Sequence, residues 1–291
     1  MKEHFDIRNL KANEVTEMYL TFLDAFSDYP VPFRLSKEQF VRKFVHKLNI
    51  DFPLSCGAFD YSGALIAFIF TSINYYQGRK TAYNGGTGVR PSYRGNKLVQ
   101  KMYDILIPKL KEAGISQSVL EVLVQNERAI KIYEKVGFKQ SQLLKCFKLN
   151  SEVLTPTDKL KVRLEIFNVN SPNFQTYDRF NSYTPSFLDS SKMLLHNLAN
   201  ETVVEARHEG NCVGYAIFQP SSGRISQIGV DASTRQMGIG SALIKYVYET
   251  STQKALTILN VSDQARETLS FFERLGFVNE LDQYEMTLNL E

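Results

Sequence analysis

The chain repeats itself at long range. Val89 and Val230 stand 141 residues apart, as do Arg94 and Arg235, while Gly137-Phe138 and Gly276-Phe277 stand 139 apart. A period near 140 residues is far too long for a solenoid unit and matches the length of a whole domain. The two-residue difference is what a change in one loop leaves behind. The 291 residues therefore read as a duplicated domain: residues 1–150, a linker over 151–158 whose Thr and Pro suit no regular element, and residues 159–291.

Each half shows the same succession of elements. In the first, Phe5–Arg8 is a short strand. Val15, Met18, Tyr19, Phe22, Leu23 and Phe26 recur at helical spacing over 12–26. Tyr29-Pro-Val-Pro32 stops that helix, because proline lacks an amide and clashes with the preceding turn, and Ser36-Lys-Glu-Gln39 restarts one with a capping box. Strands over 55–61, 64–75 and 80–89 follow; the last carries Gly85, Gly86 and Gly88, which mark a bulge or a close backbone approach. A helix over 98–110, a strand over 118–124, a helix over 126–136 ended by Gly137 and a closing strand over 143–149 complete the half. The second half replays this with strands over 161–169, 203–212, 213–219, 224–230, 255–261 and 283–290, and helices over 189–198, 238–249 and 264–275.

Composition removes several functional classes. A net charge of +3, from 34 basic and 31 acidic residues, is too mild for a nucleic-acid footprint. No apolar run reaches the roughly 18 residues of a membrane span, and the opening Met1-Lys-Glu-His-Phe-Asp lacks a signal peptide's apolar stretch, so a cytoplasmic chain without a membrane partner is expected. Cys56, Cys146 and Cys212 are scattered, with no CxxC or His-rich spacing, so neither a disulfide framework nor a metal site is expected.

The chemistry concentrates in two loops. Arg235-Gln-Met-Gly-Ile-Gly240 lies between a strand ending near Val230 and a helix. The first turn of a helix has amides without intrahelical partners; with the helix dipole they make an anion site, and glycine lets a ligand come close. The natural occupant is a phosphate or diphosphate. A Walker loop is absent, and the dinucleotide pattern fails because Leu243 stands where its third glycine belongs. The first half has Arg94-Gly-Asn-Lys-Leu-Val99 at the matching place, with Lys97 and Val99 in the two glycine positions.

Arg235-Gln-Met-Gly-Ile-Gly240 resembles the R/Q-x-x-G-x-G/A signature of the GNAT acetyltransferase superfamily, and Ile228-Gly-Val230 resembles the strand that precedes it. Val89-Arg-Pro-Ser-Tyr-Arg-Gly95 resembles the family's lead-in, and the stretch from Asn126 through Tyr133 to Gly137-Phe138 resembles its second signature. The resemblance covers about residues 3–150 and 158–291. It implies an α/β (α+β) architecture of two tandem GNAT folds. Each would be a mixed, mainly antiparallel sheet, flanked by helices and split after its fourth strand, with coenzyme A in the split. It implies acetyl-CoA as the cofactor and direct transfer to an amine, of a small molecule or a peptide; oligomeric state is left open, a homodimer among the alternatives. The implied cofactor residues are Val89, Arg94, Gly95, Asn96, Lys97, Leu98 and Asn126 in the first half and Val230, Arg235, Gln236, Met237, Gly238, Ile239 and Gly240 in the second.

Tyr133 falls where the family often carries the tyrosine that protonates the departing thiolate; on spacing alone it is equally a core residue. Glu121, in Leu120-Glu-Val122, is either a general base or an ordinary solvent-facing position. The same alignment puts Phe272 and Ala265 at the places of Tyr133 and Asn126. The first half thus has the acid and the second the intact glycine loop. Chemistry in the first half is preferred, because a glycine loop persists for helix geometry alone. The competing function is a non-catalytic pair that binds or senses acyl-CoA or a partner.

Overall fold

In the computed structural model, the described residues are 5–28, 35–150 and 159–291. The linker and the Tyr29–Pro32 break fall outside them. Two compact units are present, and neither is continuous in sequence: one comprises Met1–Ser141 with Tyr284–Glu291, the other Gln142–Gln283.

In the first unit the sheet runs β1 (Asp6–Asn9), β2 (Cys56–Phe59), β3 (Leu65–Tyr76), β4 (Arg79–Val89), β5 (Gln117–Leu123), then the end of β12 (Val278–Asn289). The first four strands pair antiparallel, and β4 and β5 pair parallel. The right-handed crossover between β4 and β5 is α3 (Leu98–Glu112). Its buried side chains, Leu98, Val99, Met102, Tyr103, Leu106 and Leu110, recur at three- and four-residue steps and so form one stripe against the sheet. α4 (Glu127–Val136) covers the same face and stops at Gly137, whose φ of 111° closes the helix in a left-handed turn. Met286, Leu288 and Leu290 enter this core from the last strand.

The opposite face carries α1 (Val15–Ala25) and α2 (Lys37–Phe40), the latter continuing as a wider π turn over Val41–Lys47. The Ser36 capping box forms as expected, with Gln39 N–H on Ser36 Oγ at 3.2 Å and Ser36 N–H on Gln39 Oε1 at 2.8 Å. Phe22, Phe40, Phe44, Phe68 and Phe70 stack into one aromatic layer there. Two strand glycines take distinct duties. Gly85 is the unpaired residue of a bulge between the Phe70↔Gly86 and Thr71↔Asn84 pairs. A Cβ on Gly88 would lie 2.6 Å from the Phe68 ring, so the ring rests directly on the strand backbone.

The second unit repeats the plan with strand order β7 (Glu165–Asn168), β8 (Thr202–His208), β9 (Asn211–Gln219), β10 (Arg224–Val230), β11 (Leu256–Ser262), then β6 (Lys139–Leu149). Its helices are α5 (Phe174–Phe180), α6 (Ser191–Leu195), α7 (Ile239–Thr250) and α8 (Arg266–Arg274). The helix expected over 189–198 is thus only α6, flanked by 3-10 turns over Phe187–Asp189 and Leu198–Asn200. Phe147 and Leu149 of β6 are buried in this unit's core. The strand expected to close the first half at 143–149 therefore completes the second unit's sheet, and the strand at the end of the chain completes the first. An alternating strand buries equally well in either of two similar sheets, so its pattern does not say which.

Candidate functional site

Parallel pairing between β4 and β5 ends at Asn84↔Leu120, although both strands continue, to Val89 and Leu123. In the second unit pairing of β10 with β11 ends at Ile225↔Ile258, with the strands continuing to Val230 and Ser262. Each sheet is thus split, and each split leads to a helix N-terminus.

The two loops at those helices have one backbone and two sequences. Gly95 and Lys97 have φ of 91° and 56°; Gln236 and Gly238, at the same places, have 61° and 85°. The left-handed turn therefore persists in the first unit, with Lys97 in the position that favours glycine, at about 1–2 kcal/mol. Leu98 and Ile239 open α3 and α7 and are both buried, while the amides of the first turns stay unpaired within the helices.

Arg94 and Arg235 were expected as fixed charges for the ligand or as solvated side chains; their guanidinium groups are clamps. Arg94 donates to the Val89 carbonyl at 3.3 Å and the Ala25 carbonyl at 3.0 Å, and Arg235 donates to the Val230 and Phe180 carbonyls at 3.3 and 3.4 Å. Each ties the end of the fourth strand to the last residue of the unit's first helix. Arg94 also grips Asp28 at 2.5 and 2.8 Å, and that hydrogen bond holds the Asp28 carboxyl below its ordinary range. Asn96 binds the Tyr93 carbonyl at 3.1 Å, and the Met237 carbonyl accepts from the Lys161 amide at 3.0 Å.

The second motif glycine is explained by packing. A Cβ on Gly240 would stand 3.0 Å from the Phe271 ring. In the first unit Val99 takes the glycine's place and Ile132 the phenylalanine's. One half uses a small residue under a large ring, the other two aliphatics of middle size. Val99 therefore compensates a smaller neighbour, and its part in narrowing the approach falls away.

Around the second loop lies a cleft of about 1040 Å³, lined by Arg235, Gln236 and Gly238–Ser241 on one side and by α8 on the other. Lys159, Lys161, Arg266 and Arg274 line it as well, against Glu267. Its volume is at the top of the range for small-molecule sites, and its charge suits a phosphorylated ligand. Main-chain amides, a glycine turn and a basic wall fit the diphosphate of coenzyme A.

The first unit holds the groups able to move protons. Tyr133 on α4 is 9% exposed and meets Phe138 edge-on at 5.8 Å. Leu120 and Val122 lie in the same core as Tyr133, so Glu121 between them points to the other face of the sheet. There its Oε2 accepts a hydrogen bond from the Tyr83 hydroxyl. Glu121 is therefore not a plain solvent-facing residue. Asn126 caps α4, its Oδ1 accepting the Ala129 amide at 3.2 Å.

The second unit has lost each of these. Phe272 is fully buried against Phe147 and Phe277. Ala265 leaves α8 without a side-chain cap. Counting 139 residues from Glu121 gives Asn260, where β11 bulges: its register to β6 slips between Ile258 and Val261, and Asn260 has a φ of 61°. Asn260 Oδ1 accepts from Gln283 Nε2 at 2.9 Å, and no carboxylate stands there. The same count, applied to Glu121, is the signal by which sequence alone could have found this replacement.

The family model of the GNAT acetyltransferases matches residues 16–138 and again 164–277. The chain belongs to the GNAT acetyltransferase family. N-alpha-acetyltransferase 30 of Saccharomyces cerevisiae is 33% identical over 60 residues, 21% of this chain and 34% of that protein. The 5-NmdU N-acetyltransferase of Pseudomonas phage PaMx11 is 34% identical over 77 residues, 25% of this chain and 54% of that protein. The matches thus span half or less, or little more than half, of those relatives. Among solved structures, a GCN5-related N-acetyltransferase from Sphaerobacter thermophilus superposes with a TM-score of 0.73 at 14% identity, covering 99% of this chain and 96% of that one. A tandem GNAT protein from the clavulanic acid biosynthesis pathway gives 0.72 at 13%, covering 99% of both chains. These likenesses establish the tandem GNAT fold. Among the described residues no helix is long and apolar enough to cross a membrane, and no cluster of three or more His, Cys, Asp or Glu could hold a metal ion.

Proposed function

We propose that the protein is an N-acetyltransferase that moves an acetyl group from acetyl-CoA to an amine, small-molecule or peptide, with chemistry in the first unit and a binding-only cradle in the second. The carrying observation is the retained left-handed turn at Gly95 and Lys97, which presents the same helix mouth as Gln236 and Gly238 beside a split sheet. When bound, acetyl-CoA supplies an acyl carbon activated by a thioester. The α3 amides and Lys97 hold the diphosphate in the first unit, the α7 amides and the basic wall in the second. On one face of the first sheet Glu121 takes a proton from the acceptor ammonium. On the other, Tyr133 gives its phenolic proton to the departing thiolate sulfur. The split lets both faces serve one ligand.

A second reading, binding or sensing of acyl-CoA without turnover, draws on the second unit, where Asn260, Ala265 and Phe272 leave a complete cradle with no acid or base. Thiol release from acetyl-CoA with a panel of amines separates the two. Release that Tyr133→Phe suppresses supports the enzyme. Saturable binding with no thiol released on any amine favours the sensor.

A further inference from the structure

Behind Tyr133 lies a buried polar chain that the second unit lacks as a set. Asn84 is the last paired residue of β4 before the split and is 7% exposed. Its Oδ1 accepts the Gly86 amide at 3.1 Å, across the bulge at Gly85. A backbone N–H can only donate, so the amide is oriented with its Nδ2 toward α3. There Nδ2 donates to the Tyr103 hydroxyl oxygen at 2.7 Å, with Thr87 Oγ1 also 2.7 Å from Nδ2. Tyr103 is 1% exposed. Since its oxygen is occupied by the Asn84 donor, its own hydrogen is directed elsewhere.

Tyr103 and Tyr133 flank one ring. They meet Phe138 edge-on at 5.4 and 5.8 Å and lie in the same core. Burial and then the neighbouring Tyr133 push the Tyr103 hydroxyl well above the ordinary tyrosine range, so it stays a donor throughout any working pH. In the second unit the four places of Asn84, Thr87, Tyr103 and Tyr133 hold Ile225, Ile228, Ile244 and Phe272, packed in or against one apolar core, while the flanking ring is kept as Phe277. Four polar groups replaced together, with the ring unchanged, point to one device rather than four packing choices.

We propose that Tyr103 is a positioning residue for Tyr133: its hydroxyl, oriented by Asn84, donates to the Tyr133 oxygen and holds the phenolate left when the proton departs. The inference rests on Tyr133 being the acid. In that step the Tyr133 O–H bond breaks and an S–H bond forms. The electron pair stays on the Tyr133 oxygen, and solvent later returns a proton to it. A hydrogen bond to a charged oxygen is stronger than one to a neutral hydroxyl, so Tyr103 favours the state after transfer. The other titratable groups of the packed elements do not compete. Glu121 on β5 and Glu285 on β12 alternate away, because Leu120, Val122, Met286 and Leu288 occupy this face, and burial pushes the Cys56 thiol on β2 up to about 12.

The test uses the full chain with Tyr103→Phe, Tyr133→Phe and the double variant. Tyr103→Phe is expected to lower kcat about tenfold with KM for acetyl-CoA unchanged, and to move the alkaline limb of the kcat profile to higher pH. Titration of phenolate absorbance in coenzyme-free protein should show one tyrosine ionising at higher pH in this variant. The double variant should be no slower than Tyr133→Phe alone. A rate, pH profile and titration equal to the parent's would overturn the proposal, as would a Tyr103→Phe loss that persists in full in the double variant. Full activity in Tyr133→Phe would instead overturn the acid, and with it the relay. If Tyr103→Phe melts without cooperativity, Asn84→Ile, which copies the second unit's residue, carries the same readouts with the same expected directions.

Discussion

The two units keep one fold and divide its parts. The second has the glycine turn, the open cleft and an apolar interior behind Phe272; the first has a lysine in the turn and a polar interior behind Tyr133. The loop backbones agree residue for residue in their left-handed positions, although Gly95 matches Gln236 and Lys97 matches Gly238. A helix mouth is thus a property of backbone geometry that several sequences satisfy at a cost near 1–2 kcal/mol. Proton chemistry has no such tolerance: exchanging tyrosine for phenylalanine deletes it outright. The difference teaches that a glycine motif locates a cradle and says little about where the reaction runs.

The comparison breaks most completely at the ends of the sheets. Deleting residues 284–291 should unfold the first unit, seen as lost circular dichroism and a lost cooperative melt. It removes Met286, Leu288 and Leu290, all less than a tenth exposed, at about 1.5–3 kcal/mol each, against a domain stability of about 5–15 kcal/mol. Residues 1–150 expressed alone should fail for the same reason.

Next in size is Tyr133→Phe, which should reduce kcat by about 10²–10³-fold while calorimetry shows unchanged affinity for acetyl-CoA. Phe272→Tyr should gain nothing, because Asn260 supplies no base; a gain would move chemistry into the second unit.

A double-mutant cycle at the helix contact sharpens the packing side. Gly240→Val alone should destabilise by about 1–3 kcal/mol through overlap with Phe271, and Gly240→Val with Phe271→Ile should recover much of that, since the pair copies Val99 and Ile132. Denaturant midpoints measure both. The smallest effect is expected from exchanging the turn residues: Lys97→Gly should stabilise the first unit by about 1 kcal/mol, and Gly238→Lys should cost a similar amount with coenzyme affinity falling less than tenfold. A larger loss of affinity on Gly238→Lys would show that the lysine loop does not bind.

Much of this was legible in the residues. Hydrophobic period, the Ser36 box, Gly137 and the 141- and 139-residue counts yield two split sheets with their helices in order, because those signals are local or additive along the chain. The strand glycines also read correctly as bulge and close approach. What stayed hidden depends on through-space partners. Arg94 and Arg235 look like ligand charges until the carbonyls of Ala25 and Phe180 are beside them. Asn84 and Tyr103, 19 residues apart in apolar strings, carry no pattern that joins them. Val99 looks like an obstruction until Ile132 is known to be its neighbour.

The placement of the last strand also sets a clock. Ribosomes add about 5–20 residues per second, so roughly 7–30 s separate the emergence of residue 141 from that of residue 284. Throughout that interval β5 is an open edge with its donors and acceptors bare, and nascent chains waiting side by side have a reason to pair wrongly. Manufacture of this protein is therefore most sensitive to crowding on the polysome, and slower translation of the second repeat should lower soluble yield rather than raise it.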